Sequence, residues 1–294
     1  MSEGLLGGIE AGGTKFVLTV GESPTRVLAT HTIETRQPAE TLGQARDWFQ
    51  RQGALRAMGI ASFGPVELDP ASPRWGHILK TPKPGWSNCD LAGFFADAFG
   101  IPIGFDTDVN GAALGEYRHG AGEGVASLTY VTLGTGIGGG TVIDGRVVHG
   151  AGHPELGHIY PRRSTGDHDF DGVCPFHGDC LEGLASGPAI LARWGAKLSE
   201  LDGGHEAHER VADYLAQMCH SVFGAIASEV VVLGGGVMKT PGLLEKVGAR
   251  ARDLDAGYFP NGERWRIVAP ALGDKAGLTG ALLLAETALQ PQRT

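Results

Sequence analysis

Gly8-Ile9-Glu10-Ala11-Gly12-Gly13-Thr14-Lys15, near the start of the chain, is the stretch whose reading decides the fold. The apolar run from Leu5 to Glu10 reads as a strand and the run from Phe16 to Val20 as a second, which places the glycines at a hairpin tip. Bare glycines at a strand-to-strand turn let backbone N–H groups point at a phosphate, and Thr14 and Lys15 add a hydroxyl and a positive charge. The stretch has neither the helix nor the spacing of a Walker A loop. Taken alone it also fits an ordinary hairpin turn. Further along, however, the β-prone run from Ala126 to Leu133 enters Gly134-Thr135-Gly136-Ile137-Gly138-Gly139-Gly140, and a hairpin closed by Asp144-Gly145 follows. The second half therefore restarts with the device that opens the first. Two such turns facing each other would hold a polyphosphate from both sides. A third, Gly234-Gly235-Gly236-Val237, ends a strand predicted from Val230 to Leu233.

Between these turns the chain reads as alternating helix and strand. Thr41 to Gly53 has helical periodicity with Leu42, Ala45, Trp48 and Phe49 on one face. Met58 to Ser62 is a buried strand ending in Phe63-Gly64-Pro65-Val66, and the carboxyl end of such a strand is where ligands sit in open α/β sheets. Thr81 to Asn88 is a proline-stiffened loop whose Trp86 either stacks on a sugar face or closes a small core. Asp90 caps a helix with Leu91, Phe94, Phe95, Ala98 and Phe99 on its apolar face. The strand from Ile101 to Phe105 runs into Asp106-Thr107-Asp108-Val109-Asn110-Gly111, where a helix begins. A carboxylate at a helix start is held by backbone donors and suits a base that deprotonates a hydroxyl. Helix capping explains one of Asp106 and Asp108 and leaves the other. Further helices are predicted from Pro188 to Trp194, His205 to Ala227, Leu243 to Leu254 and Ala276 to Leu289.

His158, Cys174, His177 and Cys180 form a lone histidine followed by a C-x-x-H-x-x-C knot. Two imidazoles and two thiolates fill the tetrahedron of a Zn2+ ion and leave no vacancy for water, so the site reads as structural. Glu155 and Glu182 flank the ligands, so the metal fixes two carboxylates in what reads as a substrate pocket. Cys89 and Cys219 lie far apart in sequence, which suits a reducing compartment without disulfides. The formal net charge is −9 and no Lys/Arg cluster appears, so no nucleic-acid partner is expected. No run reaches membrane-spanning length and no secretory leader is evident, so a cytoplasmic location is expected.

Three glycine turns after strands and an acidic strand-to-helix turn together resemble the sugar kinase and actin superfamily of split ATPases. The implied fold is α/β, actin-like or ribonuclease H-like, with two α/β domains and a cleft between them. The expected division is a small domain over residues 1–110, joined by the C-terminal helix 277–294. A large domain would span 111–276 and carry the zinc segment 153–188. Gly8 to Lys15, Asp106 to Ala112, Glu155-Leu156-Gly157-His158 and the Cys/His knot resemble the ROK family (repressors, open reading frames, kinases). Lys80 to Trp86 and Cys174 to Pro188 are similar to its bacterial fructokinase branch, where His177 stands in place of the cysteine usual elsewhere.

The resemblance implies a phosphotransferase that uses MgATP to make fructose 6-phosphate. Asp108 would be the general base, and Gly64, Pro65, Thr107, Asp108, Glu155, His158 and Glu182 would meet the sugar. Gly12, Gly13, Thr14, Lys15, Gly134, Thr135, Gly136, Pro188, Gly234, Gly235, Gly236 and Val237 would bind ATP. Glu10 stands where the superfamily places an aspartate near Mg2+. Thr107 replaces the asparagine that binds sugar in glucose-type members. A homodimer is implied. The alternatives are a ROK kinase for mannose, glucose or an N-acetylhexosamine, and more remotely a sugar-sensing regulator. The regulator would need a DNA-binding helix-turn-helix, and the first hairpin begins within ten residues of Met1.

Overall fold

The computed structural model describes residues 4–164 and 166–290. In chain order the elements are β1 (Leu5–Ala11), β2 (Lys15–Ser23), β3 (Arg26–Glu34), α1 (Pro38–Gln50), β4 (Leu55–Ser62), β5 (His77–Ile78), β6 (Cys89–Asp90), α2 (Leu91–Phe99), β7 (Ile103–Thr107) and α3 (Asp108–His119). They continue with β8 (Ser127–Leu133), β9 (Ile137–Ile143), β10 (Arg146–Val147), α4 (Leu181–Ala185), α5 (Gly187–Trp194), α6 (Glu206–Ile226) and β11 (Val230–Gly234). The last are α7 (Leu243–Asp255), β12 (Arg266–Val268) and α8 (Ala276–Ala288). No helix among the described residues is long and apolar enough to cross a membrane.

The chain forms two compact units. The first holds the residues up to Gly120, Val147–His153 and the residues from Asp274 onward; the second holds Ala121–Arg146 and Pro154–Gly273. Helix α3 packs along α8 and so belongs to the first unit, whose first segment runs past residue 110. Residues 291–294, which the sequence reading places on the last helix, lie outside the described residues.

Each unit is built on a five-stranded sheet, ordered β3-β2-β1-β4-β7 in the first and β10-β9-β8-β11-β12 in the second. In both, an antiparallel hairpin is extended by two parallel strands: β4 beside β1 and β7 beside β4, then β11 beside β8 and β12 beside β11. The glycine tips lie between Ala11↔Phe16 and between Leu133↔Ile137. The duplication suggested by two hairpins thus extends to whole sheets. The second tip is shorter than the sequence suggests, because Ile137 to Gly140 pairs as strand. Gly139 serves packing there: a Cβ would lie 2.5 Å from Leu156 Cδ1.

The first core gathers Ile9, Phe16, Leu18, Phe49, Ile60, Leu91 and Phe95 between its sheet and helices. Trp86 is fully buried in it and donates its Nε1–H to the Arg36 carbonyl at 2.8 Å. The sugar-stacking reading of Trp86 is therefore corrected: the ring closes the core. The second core packs Leu181 and Leu184 of α4 and Val211, Leu215, Met218 and Val222 of α6 on Val131, Leu133, Val231 and Leu233.

Helix α8 lies on β4 and on α3 at backbone contact. A Cβ on Gly59 would stand 1.9 Å from the Ala281 carbonyl oxygen, and one on Gly280 would stand 1.8 Å from that of Gly111. No rotamer relieves a backbone clash. Gly59→Ala is therefore expected to destabilise by about 1–3 kcal/mol or more through overpacking. Gly43→Ala, on α1 where nothing lies within 4 Å of the new methyl, is expected to stabilise by about 0.5–1 kcal/mol. Chemical denaturation of both variants reads the contrast, and equal effects would contradict the contact.

Candidate active site and metal centre

In the first unit the hairpin tip is closed by the Gly12 N–H donating to the Lys15 carbonyl at 2.9 Å. That amide is engaged within the turn, and Gly13, Thr14 and Lys15 stand exposed beside it. The Thr35 hydroxyl braces the tip by donating to the Gly12 carbonyl at 2.7 Å. Glu10 lies just below, and Gly277 packs so closely that a Cβ there would be 2.5 Å from its Cδ. Burial raises the Glu10 carboxyl above its ordinary value; Lys15 opposes the rise and Asp274 adds to it.

The acidic turn resolves differently from its sequence reading. Neither aspartate caps α3; Thr107 does, its Oγ1 accepting from the Asn110 N–H at 3.1 Å. Asp106 is buried, its Oδ1 accepting from the Thr107 N–H at 2.8 Å and from Asn110 Nδ2 at 2.6 Å. Its Oδ2 faces His149 Nε2 at 3.0 Å. That hydrogen bond raises the His149 imidazole above its ordinary value against the opposing effect of burial. Asp108 opens the first turn of α3 at the positive end of the helix dipole, its Oδ1 accepting from the Val109 N–H at 2.9 Å. Gly64 and Pro65 form a cis peptide at the end of β4. The next amide, Val66 N–H, donates to His153 Nε2 at 3.4 Å.

In the second unit the segments around Gly134, Gly187 and Gly235 come together. Gly187 N–H, at the start of α5 before Pro188, donates to the Gly134 carbonyl at 2.9 Å. A Cβ on Gly187 would stand 4.0 Å from Val237 Cγ2. Gly235 takes φ 91° beneath Leu133, where a Cβ would be 2.4 Å from the carbonyl oxygen. Only glycine combines that dihedral with that approach.

The ligand atoms of His158, Cys174, His177 and Cys180 lie within 4.8 Å of one another and are placed to hold a metal ion. Bonds of about 2.0 Å to nitrogen and about 2.3 Å to sulfur give tetrahedral edges of roughly 3.3 Å for N···N and roughly 3.5 Å for N···S. The structure has His158 Nδ1 at 3.3 Å from His177 Nδ1 and at 3.5 Å and 3.9 Å from the Sγ atoms of Cys180 and Cys174. Cys174 Sγ is 3.7 Å from His177 Nδ1. Without a metal, burial pushes the Cys180 thiol up to about 11, so a cation is what favours its thiolate. Both imidazoles present Nδ1 to the cluster. His158 Nε2 is left on the other side, 4.0 Å from Glu155 Oε2.

Glu182 joins the cluster to the glycine turn: its Oε2 accepts from the Ile137 N–H at 2.9 Å. A Cβ on Gly136 would press to 2.7 Å from that oxygen. The sequence reading singled out Glu182 for its proximity to the ligands, and the backbone partner was invisible to it. His149 and His153 were not singled out as site residues. A histidine pair at i, i+4 just before the Glu155 motif is the signal that was available.

A duplicated α/β fold with glycine turns, an acidic helix start and a Cys/His cluster defines the class, and the comparisons name it. The ROK family matches residues 6–288, and the chain belongs to the ROK family. It is 45% identical over 289 residues to a fructokinase of Zymomonas mobilis subsp. mobilis, covering 96% of each chain. It is 39% identical over 291 residues to a fructokinase of Pediococcus pentosaceus, covering 97% of this chain and 99% of that one. Among solved structures it is similar to a ROK hexokinase from Thermus thermophilus, at TM-score 0.78 and 29% identity over 96% of this chain and 98% of that one. It is also similar to a ROK family glucokinase from Streptomyces griseus in complex with glucose and AMPPNP. There the TM-score is 0.76 and the identity 26%, over 97% of this chain and 100% of that one. The α/β actin-like ATPase fold expected from the sequence is borne out.

Cobalt tests the cluster directly. One equivalent of Co2+ added to metal-free protein should give the intense visible absorption of a tetrahedral, thiolate-bound ion, and Cys180→Ser should weaken and shift it. A pale octahedral spectrum would show that the four residues do not act together.

Proposed function

We infer that the chain is an ATP-dependent fructokinase that transfers the γ-phosphoryl group of MgATP to the 6-hydroxyl of D-fructose. The observation that carries this reading is the near full-length similarity to fructokinases, at up to 45% identity. Asp108 takes the hydroxyl proton as the sugar oxygen attacks the γ-phosphorus, the bond to the bridging oxygen breaks, and ADP leaves. Phosphoryl transfer asks for positioning and charge neutralisation more than covalent work by the protein. Glu10, beside Lys15 and Asp274, is the carboxylate that would stand near Mg2+, directly or through water. Bound Mg2+ would neutralise charge on the phosphate oxygens. The Gly12–Lys15 tip and the turns at Gly134–Gly136, Pro188 and Gly234–Val237 receive ATP.

The metal is Zn2+ in this reading, held by His158, Cys174, His177 and Cys180 in a structural role. Glu155, His158 and Glu182 would meet sugar hydroxyls, with His158 using Nε2 while Nδ1 faces the metal. Gly64 and Pro65 would approach the sugar from the end of β4. Thr107 stands where glucose-type members carry a sugar-binding asparagine, and its hydroxyl is engaged as the helix cap, which counts against a glucose-type contact at this position. The second reading is a ROK kinase for mannose, glucose or an N-acetylhexosamine. A homodimer remains part of the proposal.

A coupled assay with ATP over fructose, mannose, glucose and N-acetylglucosamine decides between these readings. The highest kcat/KM is expected for fructose, and a preference for any other sugar would overturn the choice. Asp108→Ala should lower kcat by about 10²–10⁴-fold with little change in KM. Near-normal turnover would remove Asp108 from its role.

A further inference from the structure

We propose that His149 is a positioning residue for this reaction, holding the first turn of α3, and with it Asp108, through its hydrogen bond to Asp106. The proposal rests on the reading of Asp108 as the base. Asp106 is 3% exposed, and a buried carboxylate requires donors on its oxygens. It has three: the Thr107 N–H at 2.8 Å, Asn110 Nδ2 at 2.6 Å and His149 Nε2 at 3.0 Å. Two of these come from the junction of β7 with α3, at the cap Thr107 and in the first turn. The third comes from the segment 148–153, which follows β10 and is remote in sequence from α3.

The cradle has a direction. His149 Nε2 faces an acceptor and therefore carries the proton, and the same nitrogen lies 3.5 Å from Asn110 Nδ2, a second donor aimed at the same carboxylate. Asp106 favours the imidazolium, which makes the contact a charge-assisted bond. Thr107 and Asp108 follow Asp106 directly, so a change in the Asp106 carboxylate's position is passed to the cap and then to the base. A misplacement of about 1 Å at a reacting group costs on the order of 100-fold in rate. The same segment carries His153, whose Nε2 receives the Val66 N–H at 3.4 Å beside Gly64 and Pro65. One short strap thus touches both the proposed sugar turn and the foot of the base helix.

The test is steady-state kinetics of His149→Leu, His149→Gln and Asp106→Asn in the full chain, with fructose and ATP varied. Leucine removes the donor, whereas glutamine offers an amide N–H in nearly the same place. His149→Leu should lower kcat on the order of 10- to 100-fold with KM for ATP little changed, and His149→Gln should recover most of the loss. His149→Leu added to Asp106→Asn should cost little more than Asp106→Asn alone. A His149→Leu enzyme within about twofold of the parent, or a glutamine variant as impaired as the leucine one, would overturn the proposal.

A second measurement is independent of turnover and of whether the leucine variant folds. The imidazole NMR titration of His149 should lie above that of a free histidine in the parent and fall back in Asp106→Asn. An unchanged titration would overturn the contact. If the parent phosphorylates no hexose, the functional reading fails while the titration still decides the pair.

Discussion

One carboxylate oxygen links the Cys/His cluster of the second unit to its glycine turn. Glu182 Oε2 receives the Ile137 N–H at 2.9 Å, and Glu182 stands in α4 two residues after the buried ligand Cys180. The magnitudes decide which partner governs the other. A hydrogen bond to a charged group contributes about 1.5–3 kcal/mol, whereas a structural zinc site contributes on the order of 10 kcal/mol. A metal held by the proposed quartet would therefore set where α4 begins, and through α4 Glu182 and the Gly136–Ile137 amide. His158 belongs to the same assembly, because a ring fixed through Nδ1 has its Nε2 fixed as well. In this account sugar recognition and the nucleotide turn of the second unit share one anchor.

The first unit solves a similar problem with a buried carboxylate. Its anchor is the buried Asp106 carboxylate, which gathers donors from β7, α3 and the strap carrying His149. Beneath them α8 touches the sheet backbone at Gly59, so the platform has little room to shift. A rigid platform suits the base proposed at Asp108, whose role would depend on direction. The exposed glycine tip at Gly13 and Thr14 suits a ligand that arrives from solvent.

Much of this was legible in the sequence. The apolar faces of α1, α2 and α6 follow helical spacing, and the core occupies those positions. The two hairpins could be read because glycine marks their tips. The equivalence of the two sheets could not, since β3 is an edge strand whose residues are mostly exposed and carry little apolar periodicity. The ligand quartet was legible because cysteine is scarce and the spacing of the ligands is specific. Trp86 was ambiguous because a buried and a sugar-facing tryptophan look alike in a proline-rich loop. The cap of α3 was misplaced because aspartate and threonine are both good caps and only the backbone shows which one turns inward. His149 and Glu182 act through partners remote in sequence or on the backbone, and neither kind of partner leaves a local pattern.

The claim that a metal centre organises the second unit's site is tested most directly by calorimetry on metal-replete and metal-depleted protein. Fructose and a non-hydrolysable ATP analogue are the titrants. Depletion should weaken binding of both ligands, and stoichiometric Zn2+ should restore both. Depleted protein that binds fructose and the nucleotide as tightly as the replete form would contradict the account.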